Sequence, residues 1–173
     1  MGLVHAPTVG TIDATEYASV HVFSATDDGV SMTRRTSANA TTTSTTAVDL
    51  YTWPVVLNGV YTLDAYLRNQ SSLTTAGPRY AIGGAATSAA TLSPVDAFLE
   101  MSTAATTATK TDMVASGTLY GTNVGAATTT FQSTIHGSFV CTVAGNAALR
   151  WAMSAAGTAT QVRGAYAVLT RIG

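Results

Sequence analysis

Residues 131–143, FQSTIHGSFVCTV, give the clearest strand pattern in the chain. Polar side chains occupy every second position from 132 to 138, with His136 between Thr134 and Ser138. This period of two residues is typical of a β-strand that buries one face. Gly137 falls in the apolar register, which predicts a bulge or the close approach of a neighbouring strand. The residues that predict the buried face are Phe131, Ile135, Phe139, Cys141 and Val143.

The same alternation extends outward in both directions. Turns at 144–146 and 155–157 predict that 131–143, 147–154 and 160–172 form three antiparallel strands at the end of the chain. Asn58-Gly59 predicts a hairpin turn. The other candidate strands are 16–23, 47–53, 60–69, 79–82, 97–101 and 113–120. Eight or nine strands with frequent turns predict an all-β fold, an antiparallel β-sandwich or jelly roll of about eight strands.

The chain divides into an arm and one domain. A break near 27–29 separates a weakly patterned segment, 1–30, from the predicted jelly-roll domain, 31–173. Segment 36–46 is rich in threonine and serine, which favours an ordered but loosely packed strand or loop over a disordered linker. Alternation predicts that the core of the domain includes Leu63, Leu67, Phe131, Ile135, Phe139, Leu149 and Trp151.

The composition of the chain limits the kinds of partner that it is expected to bind. The chain has 173 residues, 10% of them charged, a net charge of −1, and threonine and alanine make up more than a third of it. Because acidic and basic residues nearly cancel, we expect no binding to nucleic acid or to an anionic membrane. No apolar run approaches the roughly 18 residues of a membrane-spanning helix. So few charges on a small β domain predict self-association, which would cover part of the surface.

The residues that carry chemistry do not form a recognisable catalytic or metal motif. His5, His21 and His136 are far apart, Cys141 lies in an apolar register, and no Gly-x-Ser-x-Gly sequence is present. We therefore expect no enzyme activity, no metal and no cofactor. A β-sandwich hydrolase, dependent on His136 or Asp96, is the competing hypothesis.

Several polar and aromatic residues are candidates for contact between chains. Arg34-Arg35 is too short for a basic patch and indicates either a solvated pair or a salt bridge to another chain. Tyrosine is enriched where protein surfaces meet, and His136 lies on a polar face that suits a symmetry axis or a groove. The candidate subunit-contact residues are Tyr61, Tyr66, His136 and Tyr166.

Four segments carry a resemblance to a known family. They are the Thr/Ser-rich 36–50, the turn VLNGVY at 56–61, SSLTTAGPRYAI at 71–82, and the closing strands 131–173, which end in VLTRIG. In this order and spacing they resemble a module at the C-terminal end of many tailed-phage fibre and minor structural proteins. The resemblance covers about four fifths of the chain.

The resemblance implies a compact sandwich similar to the tumour-necrosis-factor and C1q jelly rolls, assembled as a homotrimer. It implies a structural protein of the bacteriophage virion, made in the bacterial cytoplasm, without catalysis, whose partners are its own copies and phage capsid or tail proteins. Such fibres usually have a long shaft before the module, whereas this chain has about 30 residues there. That difference favours a capsid decoration protein, a head fibre or a short spike knob over a long tail fibre.

Two functions follow from this resemblance. In the first, the arm attaches the knob to the particle, and the candidate attachment residues are Leu3, Val4, His5, Pro7 and Val9. In the second, the domain is the receptor-binding tip of a tail fibre and recognises host surface glycan through exposed tyrosines and polar loops such as 103–109.

Overall fold

The computed structural model describes residues 29–102, 108–121 and 129–173, and within these ranges every regular element is a β-strand. The fold is therefore all-β, as the alternation predicts, with eleven strands. Their bounds are β1 (Ser31–Arg35), β2 (Ala40–Thr42), β3 (Val48–Val55), β4 (Val60–Ser71), β5 (Pro78–Gly84), β6 (Thr91–Ser102), β7 (Ala108–Met113), β8 (Phe131–Val143), β9 (Gly145–Met153), β10 (Ala159–Gln161) and β11 (Tyr166–Arg171).

The strands form two antiparallel sheets. The large sheet has eight strands in the order β1-β11-β4-β8-β6-β7, and β10 joins it between β2 and the end of β4. The small sheet has the order β3-β9-β5. Apolar side chains from both sheets contribute to a single core, which is the arrangement of a β-sandwich.

The core lies between the sheets. Every second residue of β4 and β8 is buried along most of each strand, because alternate side chains of a strand point to the same face. The small sheet adds Trp53 and Ile82, which are 1% and 2% exposed. All seven residues expected in the core are buried, with at most 4% of the surface of each exposed: Leu63, Leu67, Phe131, Ile135, Phe139, Leu149 and Trp151.

A buried polar network joins the two sheets. The Asn69 side chain in β4 donates a hydrogen bond from Nδ2 to Ser133 Oγ in β8, at 2.9 Å, and accepts one at Oδ1 from the Tyr80 hydroxyl in β5, at 2.5 Å. All three residues are fully buried. Because each side-chain dipole has a partner, the network fixes the relative position of the sheets without leaving an unsatisfied polar group among these contacts.

Two expected hairpins are instead crossings between the sheets. Asn58 adopts a left-handed φ of 60°, and the Gly59 amide donates to the Val56 carbonyl, so the Asn-Gly turn is present. However, β3 and β4 on either side of it belong to different sheets. Likewise, the chain passes from β8 in the large sheet to β9 in the small sheet at Ala144. The prediction that the last three strands pair consecutively is therefore wrong.

Other boundaries also differ from the sequence predictions. The strand predicted at 113–120 is wrong, because β7 ends at Met113 and turns follow, with a single bridge between Tyr80 and Tyr120. Pro54 lies inside β3, where the described pairing is with β9 alone, as expected for proline on an edge strand. Segment 36–46 contains the short β2 and bends. The predicted strand 16–23 lies outside the described residues.

Candidate functional site

The outer face of the large sheet, turned away from the small sheet, is built from the alternate residues that do not enter the core. Its centre is a tyrosine pair: Tyr66 in β4 lies opposite Tyr166 in β11, and the rings stack with centroids 5.9 Å apart and 26° between planes. Half-buried Thr62, Val168 and Thr170 surround the pair on the same face. Stacked aromatics that remain partly exposed are typical of surfaces that contact another protein.

His136 in β8, the strand that pairs with β4, lies near this tyrosine pair on the same face. It is directly opposite Asp64 in the β4–β8 register, and its Nδ1 lies 2.6 Å from Asp64 Oδ1. The side chains are 47% and 57% exposed, so water screens their charges. On the other side, the Phe98 ring of β6 lies 5.4 Å from the His136 ring, and the Lys110 ammonium lies 5.6 Å from the Phe98 ring centre.

Asp64, Phe98 and His136 line a shallow groove of about 430 Å³ on the outer face. Three carboxylates border it, from Asp64 in β4, Asp96 in β6 and Asp112 in β7, and Phe98 supplies an apolar wall. We call this the aspartate groove. The groove crosses neighbouring strands of the sheet, and these strands are far apart in sequence. Its side chains therefore come from distant segments of the chain.

Positive charge collects at the opposite corner of the same face. Arg35 at the end of β1 is opposite Tyr166, and Arg68 in β4 is two residues beyond Tyr66 on the same side. Arg68 Nη1 donates to the carbonyl of Arg163, which lies in the turn before β11, at 3.3 Å. We call Arg35, Arg68 and Arg163, all exposed, the arginine corner.

The described residues offer no cluster of three or more His, Cys, Asp or Glu side chains suited to a metal ion. Cys141 is buried, its Sγ donates to the Val143 carbonyl at 3.1 Å, and burial raises the pKa of its thiol, so the reactive thiolate is disfavoured. His136 and Asp96, the residues of the hydrolase hypothesis, both line the aspartate groove. In the described part of the chain, no helix has the length and hydropathy needed to cross a membrane.

The structure separates the candidate contact residues. Tyr66, His136 and Tyr166 share the outer face, whereas Tyr61 is fully buried, with its ring stacked on Phe139 at 5.4 Å and its hydroxyl accepting from the Val56 amide. Tyr61 therefore belongs to the core and not to a subunit contact. The candidate attachment residues, Leu3, Val4, His5, Pro7 and Val9, lie outside the described residues, as does most of loop 103–109.

Sequence reasoning missed most members of the two charged patches. Phe98, Asp64 and Asp112 are single residues in unremarkable strands, and they meet only because β4, β8, β6 and β7 are neighbours in that order. The signals in the sequence were His136, expected on a polar face that suits a symmetry axis or a groove, and the doublet Arg34-Arg35, for which a salt bridge to another chain was one interpretation.

The comparisons with known proteins give no family. No model of a protein family matches the sequence, and no curated protein matches it. A structure of infectious bursal disease virus, Gx strain, is similar at 12% identity over 83% of this chain and 36% of that one, with a TM-score of 0.22.

A second similar structure is the crystal structure of the infectious bursal disease virus VP2 subviral particle. The identity is 14% over 97% of this chain and 43% of that one, again with a TM-score of 0.22. This chain thus spans less than half the length of either protein. At these values neither similarity assigns a function to the chain.

Proposed function

We propose that this chain is a structural protein of a tailed-phage particle that assembles as a homotrimer and serves as a capsid decoration protein or as a short fibre or spike knob. The observation that carries the proposal is the outer face of the large sheet, where stacked tyrosines lie among half-buried threonines in a chain with only 10% charged residues. Such a face gains stability when another protein surface covers it. The phage assignment rests on the motif resemblance of 33–173.

In this proposal the sandwich is the exposed knob and segment 1–30 is the attachment arm. Many identical sites on a particle allow a short arm to hold each trimer, because three arms linked through one trimer bind with a raised effective concentration. The protein would act by covering and stabilising junctions between capsid or tail subunits, without catalysis, cofactor or metal.

The test combines solution mass with particle binding. Light scattering after size exclusion is expected to give a species near three times 17.6 kDa. The full chain is expected to bind particles that lack it, and a variant without residues 1–15 is expected to remain trimeric but leave the particles unoccupied. Full occupancy by the truncated variant would rule out the arm, and a monomer that binds no particle would overturn the proposal.

A second candidate function is recognition of host surface glycan. The observation that favours it is the aspartate groove, where Phe98 offers an aromatic ring, 37% exposed, beside carboxylates that accept hydrogen bonds from sugar hydroxyls. The isolated protein would then bind host polysaccharide, and Phe98→Ala would abolish binding while Tyr166→Ala would not. Release of product from that polysaccharide, lost in His136→Ala and Asp96→Ala, would instead indicate the hydrolase.

A further inference from the structure

Among the residues that the structure describes, the aspartates of the groove and the arginines of the corner form no ion pair with a group of opposite formal charge. Among the described acidic residues, Asp49 forms an ion pair with Arg150 and Glu100 with Lys110. The carboxylates that remain are the three of the aspartate groove: Asp64, Asp96 and Asp112. Of these, Asp64 contacts only the ionisable His136.

The arginine corner is the counterpart of the groove. The Arg68 guanidinium donates to the backbone carbonyl of Arg163, so this described contact of its side chain is with a neutral acceptor and not with a carboxylate. Arg35 lies on the same side of the sheet, opposite Tyr166. Three exposed arginines therefore stand against three exposed aspartates on one surface.

The two patches are too far apart to neutralise each other inside one copy. Four strand spacings separate β1 from β6, which is about 19 Å between Arg35 and the strand of Asp96. Asp96 is opposite Ser138, and Ser138 is opposite Thr62, six residues along β4 from Arg68, or about 20 Å. Asp64 is the nearest groove carboxylate, four residues or about 13 Å from Arg68 along β4. All three separations exceed the Debye length of about 8 Å at physiological salt.

We infer that a second copy of this chain docks on the outer face, with the arginine corner of one copy against the aspartate groove of the next. This inference rests on the self-assembly in the proposed function and names the surface that performs it. The stacked Tyr66 and Tyr166 lie between the patches and add apolar surface beside the charge pairs of the contact.

The trimer of the proposed function requires a head-to-tail contact, in which the corner of one copy meets the groove of the next. Such contacts between unlike surfaces close into a ring when the rotation from copy to copy completes a full turn. In a ring of three, every corner meets a groove, so all six charged side chains of every copy are neutralised. A small net charge of −1 for the whole chain is consistent with charges that are matched between copies.

The test uses charge reversal in two matched variants. The corner variant carries Arg35→Glu and Arg68→Glu, and the groove variant carries Asp96→Arg and Asp112→Arg; Asp64 is kept because it contacts His136. All four side chains are exposed, so each variant is expected to fold with the β-strand content of the wild type, measured by circular dichroism. Each is expected to sediment as a single chain of 17.6 kDa, with association weakened at least tenfold.

The combined variant, with all four substitutions, controls for misfolding and for net charge. It restores opposite charges across the contact and has the wild-type net charge, so it is expected to recover the wild-type mass.

An equimolar mixture of the corner and groove variants tests whether the assembly is a ring of three. Corner-variant and groove-variant chains must alternate around a ring, and a ring of three cannot alternate, so the mixture is expected to form even-numbered assemblies and no trimer.

The outcomes distinguish this inference from the proposed function. If the wild type is a trimer and both the corner variant and the groove variant remain trimers at the same concentration, the outer face is not the contact. The proposal of a trimeric structural protein then still stands. If the wild type is a monomer, the self-assembly fails together with the inference. If the groove variant loses binding to host glycan while the wild type is monomeric, the groove is a glycan site and the inference is overturned.

Discussion

Gly137 in β8 lies so close to Ala97 in β6 that it has no space for a side chain. The two residues are opposite each other in the β6–β8 register, and a Cβ on Gly137 would overlap both Cβ and Cα of Ala97. The carbonyl oxygen of Asp96 would lie 2.6 Å from the same Cβ. The absence of a side chain at residue 137 therefore allows β6 and β8 to pair closely beneath the aspartate groove.

Gly137→Ala is accordingly expected to destabilise the domain. The added methyl group meets backbone atoms, which cannot rotate away, so the sheet itself must shift, at a cost of roughly 1–3 kcal/mol or more in the free energy of unfolding. Urea unfolding measures this change. Gln132→Ala, an exposed position on the same strand, is the control and is expected to change stability by less than about 0.5 kcal/mol. Equal stability of the two variants would contradict the close approach.

Leu149→Ala tests the packing between the sheets. Leu149 in β9 is fully buried, whereas Leu57 in the crossing between sheets is 56% exposed. Truncation of the buried leucine leaves a cavity and is expected to cost about 2–5 kcal/mol. The same substitution at Leu57 removes a side chain that is already in water and is expected to cost far less. A thermal melt of both proteins decides the point, and an unchanged melting temperature for Leu149→Ala would contradict the assigned core.

Side-chain alternation was enough to predict the fold class and the core. In β4 and β8 the period of two is nearly unbroken, so the buried residues Leu63, Leu67 and Ile135 could be read from the sequence. Gly137 was also informative, because glycine in an apolar register predicts a close approach and Ala97 provides it. These features are local, and each depends on one strand and its immediate neighbour.

The pairing of strands could not be predicted in the same way. The turn at Asn58-Gly59 has the backbone of a hairpin, yet the chain leaves one sheet there and enters the other. Whether the chain forms a hairpin or crosses to the other sheet depends on the faces that the flanking strands bury. The alternation of polar and apolar residues is the same in both cases. The aspartate groove was missed for this reason, since Asp64, Asp96 and Asp112 meet only in the observed strand order.

The ion pair between Asp49 and Arg150 in the small sheet is expected to contribute more stability than the exposed pair of Glu100 and Lys110. Asp49 Oδ1 lies 2.9 Å from Arg150 Nε, and Asp49 Oδ2 accepts from the Ala86 amide at 2.7 Å. Both side chains are less than a quarter exposed. Asp49→Asn keeps the size but removes the charge, which leaves Arg150 without its counterion and is expected to cost about 1–3 kcal/mol.

Glu100→Gln is the matched control for this pair. Glu100 and Lys110 are 3.6 Å apart, and their side chains are 35% and 69% exposed, so water screens the pair and its loss is expected to cost less than about 1 kcal/mol. Both variants are compared by urea unfolding at neutral pH. A larger loss for Glu100→Gln than for Asp49→Asn would show that burial does not govern the strength of these pairs.

Two buried tyrosines predict a loss of stability in alkali. Burial raises the pKa of Tyr51 to about 12, and it raises the pKa of Tyr80 well above its ordinary value of 10.0. Above pH 10 the unfolded chain therefore releases phenol protons that the folded chain retains. The free energy of unfolding thus falls as the pH rises from 10 to 12, and Tyr51 alone contributes a loss of roughly 2–3 kcal/mol.

Tyr51→Phe separates this effect from general alkaline unfolding. At pH 8 the variant is expected to be less stable than the wild type, because the hydroxyl no longer contacts Thr36 or donates to the Ala165 carbonyl. Since phenylalanine has no proton to lose, the difference is expected to narrow as the pH rises above 10. Tyr166→Phe, which removes a hydroxyl from a residue 41% exposed, is the control. A difference for Tyr51→Phe that stays constant from pH 8 to 12 would contradict the burial of its phenol as the cause.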